Sequence, residues 1–145
     1  MNAPLHHELP TPLLDAAQAR ARIDAQWDGD ILRQLTDYIA IPAKSPVFDP
    51  DWAAHGFIDT VVRHAADWVQ AQKVPGLTLE VVRLPGRTPV IFFEIPATRA
   101  GSTQTALLYG HLDKQPEFTG WRADLGPWTP KYEDGKLYGR GGADD

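Results

Sequence analysis

The chain has 145 residues, 43% hydrophobic and 23% charged, a size and balance that suit one domain with a buried core rather than a disordered segment. A net charge of -5 with no accumulated basic patch argues against a nucleic-acid partner, and no apolar run approaches a membrane span. There is no cysteine, which excludes disulfides, a thiolate nucleophile and a thiolate zinc site, so any metal must be held by His, Asp and Glu. The opening MNAPLHHELP lacks the charged-then-apolar pattern of a secretory leader, and the cytoplasm is the expected compartment.

Residues 1–11 carry two prolines and no periodicity and read as a flexible arm, with the folded portion expected over 12–145. From Pro12 to Trp27 the chain is rich in helix formers, with Leu14, Ala17, Ala21 and Ile23 roughly on one side. Asp28-Gly29-Asp30 should break that helix. A second helix fits ILRQLTDYIAI, where Ile31, Leu32, Leu35, Tyr38 and Ile39 keep helical spacing, and Pro42 and Pro46 close it. Asp49-Pro50 reads as a helix start, an acceptor at the cap followed by a proline, for a helix running to about Lys73. Its inward stripe would be Ala54, Ile58, Val61, Ala65, Trp68 and Gln72, and Pro75-Gly76 ends it.

The pattern then changes to strands. LTLEVVRL alternates, with Leu77, Leu79 and Val81 on one face and Thr78 and Glu80 on the other. Gly86 lies in a turn, VIFFEI is apolar enough for a central strand, and ATRAGST is a turn. TALLYG should be a third, buried strand. EDGK looks like a hairpin turn and KLYG a short strand after it. Helices first and strands after give an α/β plan: N-terminal helices followed by a mixed β-sheet.

Polar residues collect where TALLYG ends. In α/β sheets functional groups gather at the carboxyl ends of strands, and His111 and Asp113 fall at such an end. In an extended segment residues two apart point the same way, so both side chains can face one pocket. A neutral imidazole is a good zinc ligand, and a carboxylate accepting its other N–H fixes tautomer and orientation. On that reading His111 binds the metal and Asp113 holds it from behind. Taken alone, a His-x-Asp pair describes a surface turn more often than a metal site. A second cluster, GRGGADD, ends on Asp144 and Asp145, adjacent carboxylates that repel each other unless a cation is near. Taken alone, this too describes a solvated acidic pair.

Together, YGHLDKQP, the following Gly120-Trp121, PWTP, EDGKLYGRG and the final ADD resemble, in order and spacing, the M20 family of zinc metallopeptidases, most closely the carnosinase/PepV-like dipeptidase branch. The resemblance is to the N-terminal part of the family. It is most specific over residues 107–145, with IAIPAKSP similar to the family's opening helix and loop. It implies a partial M20-type catalytic domain in which His111 ligates one of two Zn2+ ions and Asp113 orients it. Asp144 would be the carboxylate bridging both metals, and Asp145 would follow it across a cis peptide. Mn2+ or Co2+ could stand in for zinc. The implied chemistry is attack of a metal-activated water on the amide of a dipeptide or short peptide, with a glutamate base and further ligands that this chain does not contain. The resemblance therefore implies a front portion of a longer enzyme, inactive alone, and a homodimer for the longer protein.

Two other functions fit the same residues: an N-acyl amino acid deacylase of the same superfamily, and a non-catalytic binding or assembly relative. His55 and His64, nine apart on one expected helix, read as surface or packing histidines, and His6 and His7 belong to the arm. Asp124 reads as a solvated loop carboxylate, Glu133 and Asp134 as turn residues, and Trp121 and Trp128 as packing. Arg140 reads as tied to a nearby acid.

Overall fold

The structure, a computed structural model, describes residues 15–143; the expected arm over 1–11 and the doublet of Asp144 and Asp145 lie outside them. The described residues up to Gln34 form one compact unit and those from Leu35 onward another.

In the first unit, helix α1 (Ala16–Gln26) is capped by Asp15, whose carboxylate accepts the Ala17 and Gln18 N–H groups at 2.9 and 3.1 Å. No residue of α1 is buried, and Ile23 is 60% exposed, so the inward side expected from Ala17, Ala21 and Ile23 does not form. The reason is compositional: its apolar residues are mostly alanines, interleaved with Arg20, Arg22 and Asp24, and offer little to bury. Asp28-Gly29-Asp30 does not end the helical path as expected. It widens into a π turn over Trp27–Ile31, with the Leu32 N–H donating to the Trp27 carbonyl. Asp30 accepts from Arg33 and Gln34 at 3.1 and 3.0 Å, so the polar break becomes a side-chain-buttressed bulge. Helix α2 (Leu32–Ala40) follows.

In the second unit the chain turns tightly past Pro42. The Ile41, Ala43 and Lys44 amides donate to Tyr38, Ile41 and Pro42 carbonyls. The single helix expected from Asp49 to Lys73 is two: α3 (Trp52–His55) and α4 (Phe57–Ala71), parted at Gly56. Gly56 has φ +72°, closes α3 by donating to the Trp52 carbonyl, and opens α4 by accepting from the Thr60 amide and hydroxyl. Asp49 is not the expected side-chain cap; both its carboxylate oxygens lie 2.9 Å from His55 Nδ1. Helix α4 buries Ile58, Val61, Val62 and Ala66; of the expected stripe, Ile58 and Val61 are inside while Ala54 is exposed.

Strand β1 (Thr78–Val82) pairs antiparallel with β2 (Val90–Glu94), Thr78 opposite Glu94 and Val82 opposite Val90. Val81 and Ile91 pack against the core formed by Ala43, Ile58, Val61 and Val62, with Tyr38, Ile41, Trp52 and Leu112 around it. Two expectations fail here. VIFFEI is not central: among the described residues β2 has one strand neighbour, and Val90, Phe92 and Ile95 are about half exposed. TALLYG forms no strand, and Leu107, Leu108 and Tyr109 are 92%, 87% and 91% exposed. Its apolar run demands cover, but no neighbouring strand among the described residues supplies it. The EDGK turn forms as expected, joining β3 (Lys131–Glu133) to β4 (Lys136–Tyr138), with Asp134 and Gly135 at φ 50° and 75° as a tight hairpin requires. The expected α/β order of helices and then strands is what the chain shows, its strands arranged as antiparallel pairs.

Candidate functional site

The sequence alternation around residue 111 determines how the segment sits. Leu112, half-buried, packs against the core, which puts its neighbours His111 and Asp113 on the opposite side. The Tyr38 hydroxyl, on α2, donates to the Leu112 carbonyl at 3.3 Å and pins the segment from beneath. His111 Nδ1 lies 3.2 Å from Asp113 Oδ1 and 3.0 Å from the Asp113 carbonyl oxygen. A carbonyl and a carboxylate can only accept, so Nδ1 carries the proton of the neutral ring and donates. That is the arrangement in which a carboxylate fixes a histidine tautomer with Nε2 as the basic nitrogen.

The next residue was not singled out from sequence and is the most buried polar group in the segment. Lys114 is 2% exposed. Its backbone bridges to the turn at 43–45, its N–H on the Ala43 carbonyl and its carbonyl receiving the Ser45 N–H, both at 2.9 Å. Its Nζ donates to the carbonyls of Tyr38, Ile39 and Ile41 at 2.5, 3.3 and 2.7 Å, capping the C-terminal end of α2. The amine also sits 3.9 Å from the Tyr38 ring centre and 5.5 Å from that of Trp128. Burial lowers the amine to about 7. A lysine is ordinarily exposed; the signal that could have found this one is its spacing two residues from Leu112, which in an extended segment puts both on one face.

The glycine run packs on the same two groups. A Cβ on Gly139 would stand 2.2 Å from Ile39 Cγ2, and one on Gly142 3.2 Å from Ile39 Cδ1. A Cβ on Gly141 would lie 3.0 Å from the Lys114 stem. The run therefore approaches Ile39 at Gly139 more closely than a side chain permits and packs tightly against Ile39 and Lys114 at Gly142 and Gly141, a packing need beside loop freedom.

Around this, Glu117 accepts from Lys44 Nζ at 3.0 Å, and its own backbone hydrogen bond together with Lys44 holds its carboxyl below the ordinary range. The Trp121 indole donates to the Glu117 carbonyl at 2.9 Å. Arg140 is not tied to an acid among the described residues. Its guanidinium lies over Phe118 and Trp121 at 4.8 and 5.7 Å, and the Arg140 backbone N–H donates to the Pro127 carbonyl. Asp124 and Glu133 are closed into one network with Arg122 and Lys131, each acid touching both bases. Arg122 and then Lys131 hold the Asp124 carboxyl well below its usual range, and Lys131 and then Arg122 do the same for Glu133. Both acids are thus committed to structure.

Residues 107–145 match the model of Peptidase family M20/M25/M40. The match supports the M20 family for this stretch and, with it, a metal-dependent hydrolase of the peptidase class. It covers both HLD and the GRGG run. Of the residues expected at the site, the structure brings His111 and Asp113 into contact, while Asp144 lies outside the described residues. Among the described residues no three of His, Asp or Glu gather as a metal cluster, and no helix is long and apolar enough to cross a membrane.

Proposed function

We propose that this chain contributes part of the site of an M20-type dipeptidase or exopeptidase that uses two divalent ions, Zn2+ by preference. The observation that carries this reading is the family match over residues 107–145, and the His111–Asp113 geometry supports it. His111 and Asp144 would hold the metal. The donor chemistry fits at position 111: a ring whose Nδ1–H is committed to a carboxylate offers Nε2 in the correct tautomer. When bound, the metals supply Lewis-acid activation of water and of the scissile carbonyl.

The chain's own residues do the positioning. Asp113 holds the His111 proton at Nδ1, Leu112 anchors both on the core, and Lys114 and Ile39 seat the glycine run. Two protein donors are fewer than the three or four a zinc site normally takes, so the 145-residue chain alone is proposed to be inactive, with the base and further donors supplied by more of the polypeptide. The longer protein would act on small peptides in the cytoplasm, as a homodimer.

The test is hydrolysis of dipeptides and N-acyl amino acids by the purified chain with added Zn2+, alongside Zn2+ binding by titration. Background hydrolysis and weak binding, lost in His111→Ala, are the expected results. Robust turnover abolished by His111→Ala would overturn the incomplete site, and Zn2+ binding indifferent to His111→Ala would overturn the ligand assignment.

A further inference from the structure

The stretch that leads into His111 gives it little support. Leu107, Leu108 and Tyr109 are almost wholly exposed, and Gly110 is exposed as well. The anchors that the segment does have lie beneath it and after it: the half-buried Leu112 side chain against the core, the Tyr38 hydroxyl on the Leu112 carbonyl, and Lys114. Of these Lys114 makes the most connections. Its backbone is bonded on both sides to the 43–45 turn, its amine takes three carbonyls at the end of α2, and its stem fills the space that a side chain at Gly141 would need. Nothing in this set is a carboxylate; the amine is spent on backbone. Lys44, one residue from the paired Ala43, shows the contrast: it makes an ordinary half-exposed ion pair with Glu117.

We propose that Lys114 is a positioning residue: tying residues 111–114 to the end of α2 and to the glycine run, it fixes the His111–Asp113 pair in the geometry that sets the imidazole tautomer. The functional meaning of that geometry rests on the metal reading above, but the geometry itself can be measured without metal. Asp113 is joined directly to Lys114, so releasing the amine frees the Asp113 carbonyl and carboxylate that His111 Nδ1 faces. A neutral imidazole freed of that partner redistributes its proton between Nδ1 and Nε2.

The experiment is long-range 1H–15N spectroscopy of the histidine rings in the metal-free 145-residue chain, at a pH where the rings are neutral, with His111 assigned from His111→Ala. Wild-type His111 is expected as the Nδ1–H tautomer. In Lys114→Met, which keeps the stem and removes the amine, the Nδ1–H to Nε2–H ratio should fall by roughly tenfold or more, the loss of one carboxylate hydrogen bond. Lys44→Met should leave the ratio unchanged. A folded Lys114→Met with the wild-type ratio overturns the proposal, and so does a wild-type His111 already shared evenly between tautomers. Should Lys114→Met not fold, Lys114→Gln, which keeps a donor at shorter reach, is judged by the same ratio. Zn2+ added to the wild-type chain tests the metal reading separately. If His111 resonances do not respond, that reading fails while the tautomer result stands.

Discussion

Gly139→Ala isolates the contact that seats the glycine run. Gly139 has φ +150°, a region that L-residues avoid, so an alanine there costs about 1–3 kcal/mol in backbone strain. Its Cβ would also stand 2.2 Å from Ile39 Cγ2, and Ile39 is fully buried, so the neighbour cannot swing into solvent. Overpacking of that kind adds about 1–3 kcal/mol. The two terms separate in a double-mutant cycle. Ile39→Ala alone should cost about 2–5 kcal/mol as a buried large-to-small change. Combined with Gly139→Ala, it removes the methyl in the way, so the pair should be less destabilising than the sum by about 1–3 kcal/mol, leaving the strain behind. Urea unfolding followed by tryptophan fluorescence reads all four proteins. Additivity within about 0.5 kcal/mol would refute the claim that the run is held against Ile39.

Two pH dependences follow from the ionised groups. The Asp124 and Glu133 carboxyls are lowered in the folded chain, so their stabilisation is present above the unfolded carboxylate range and is lost as pH falls through the folded values; urea midpoints should drop below about pH 4, and Asp124→Asn should flatten that arm. These groups are exposed, so 1 M salt should shrink the effect. Lys114 acts in the same direction over a higher pH range. With the folded amine at about 7 against an unfolded value near 10.5, the unfolded chain binds more protons in between, so stability should rise from pH 7 to 10 by up to about 1.4 kcal/mol per unit. Lys114→Met should remove that slope, and an unchanged slope would show that the amine stays protonated throughout.

How much of this was legible from the residues depended on whether periodicity alone decided the outcome. The inward placing of Ile58 and Val61 and the β1 alternation follow from spacing, and Asp134-Gly135 from the backbone that a two-residue turn needs. Asp28-Gly29-Asp30 misled because polarity and glycine lower helix propensity without forbidding a helix whose side chains buttress it, as Asp30 does with Arg33 and Gln34. TALLYG misled differently: an apolar run states what a segment would gain by burial, not whether a partner strand is there to bury it. Arg140 was expected to seek an acid; among the described residues its planar cation lies over two aromatic faces. At the site, the spacing of His111 and Asp113 sufficed to predict their contact, because Leu112 between them has one place to go.

The glycines of GRGG answer to packing. In the folded chain Gly139 is required by Ile39, while Gly142 sits tightly against Ile39 and Gly141 against the Lys114 stem. Ile39 belongs to α2, and Lys114 caps the end of that helix. HLD and GRGG, thirty residues apart along the chain, are therefore referred to one helix end rather than to a shared strand. Any change that shifts the last turn of α2 should move both segments together, whereas changes in the exposed β2 face should leave both in place. That asymmetry is a property of packing.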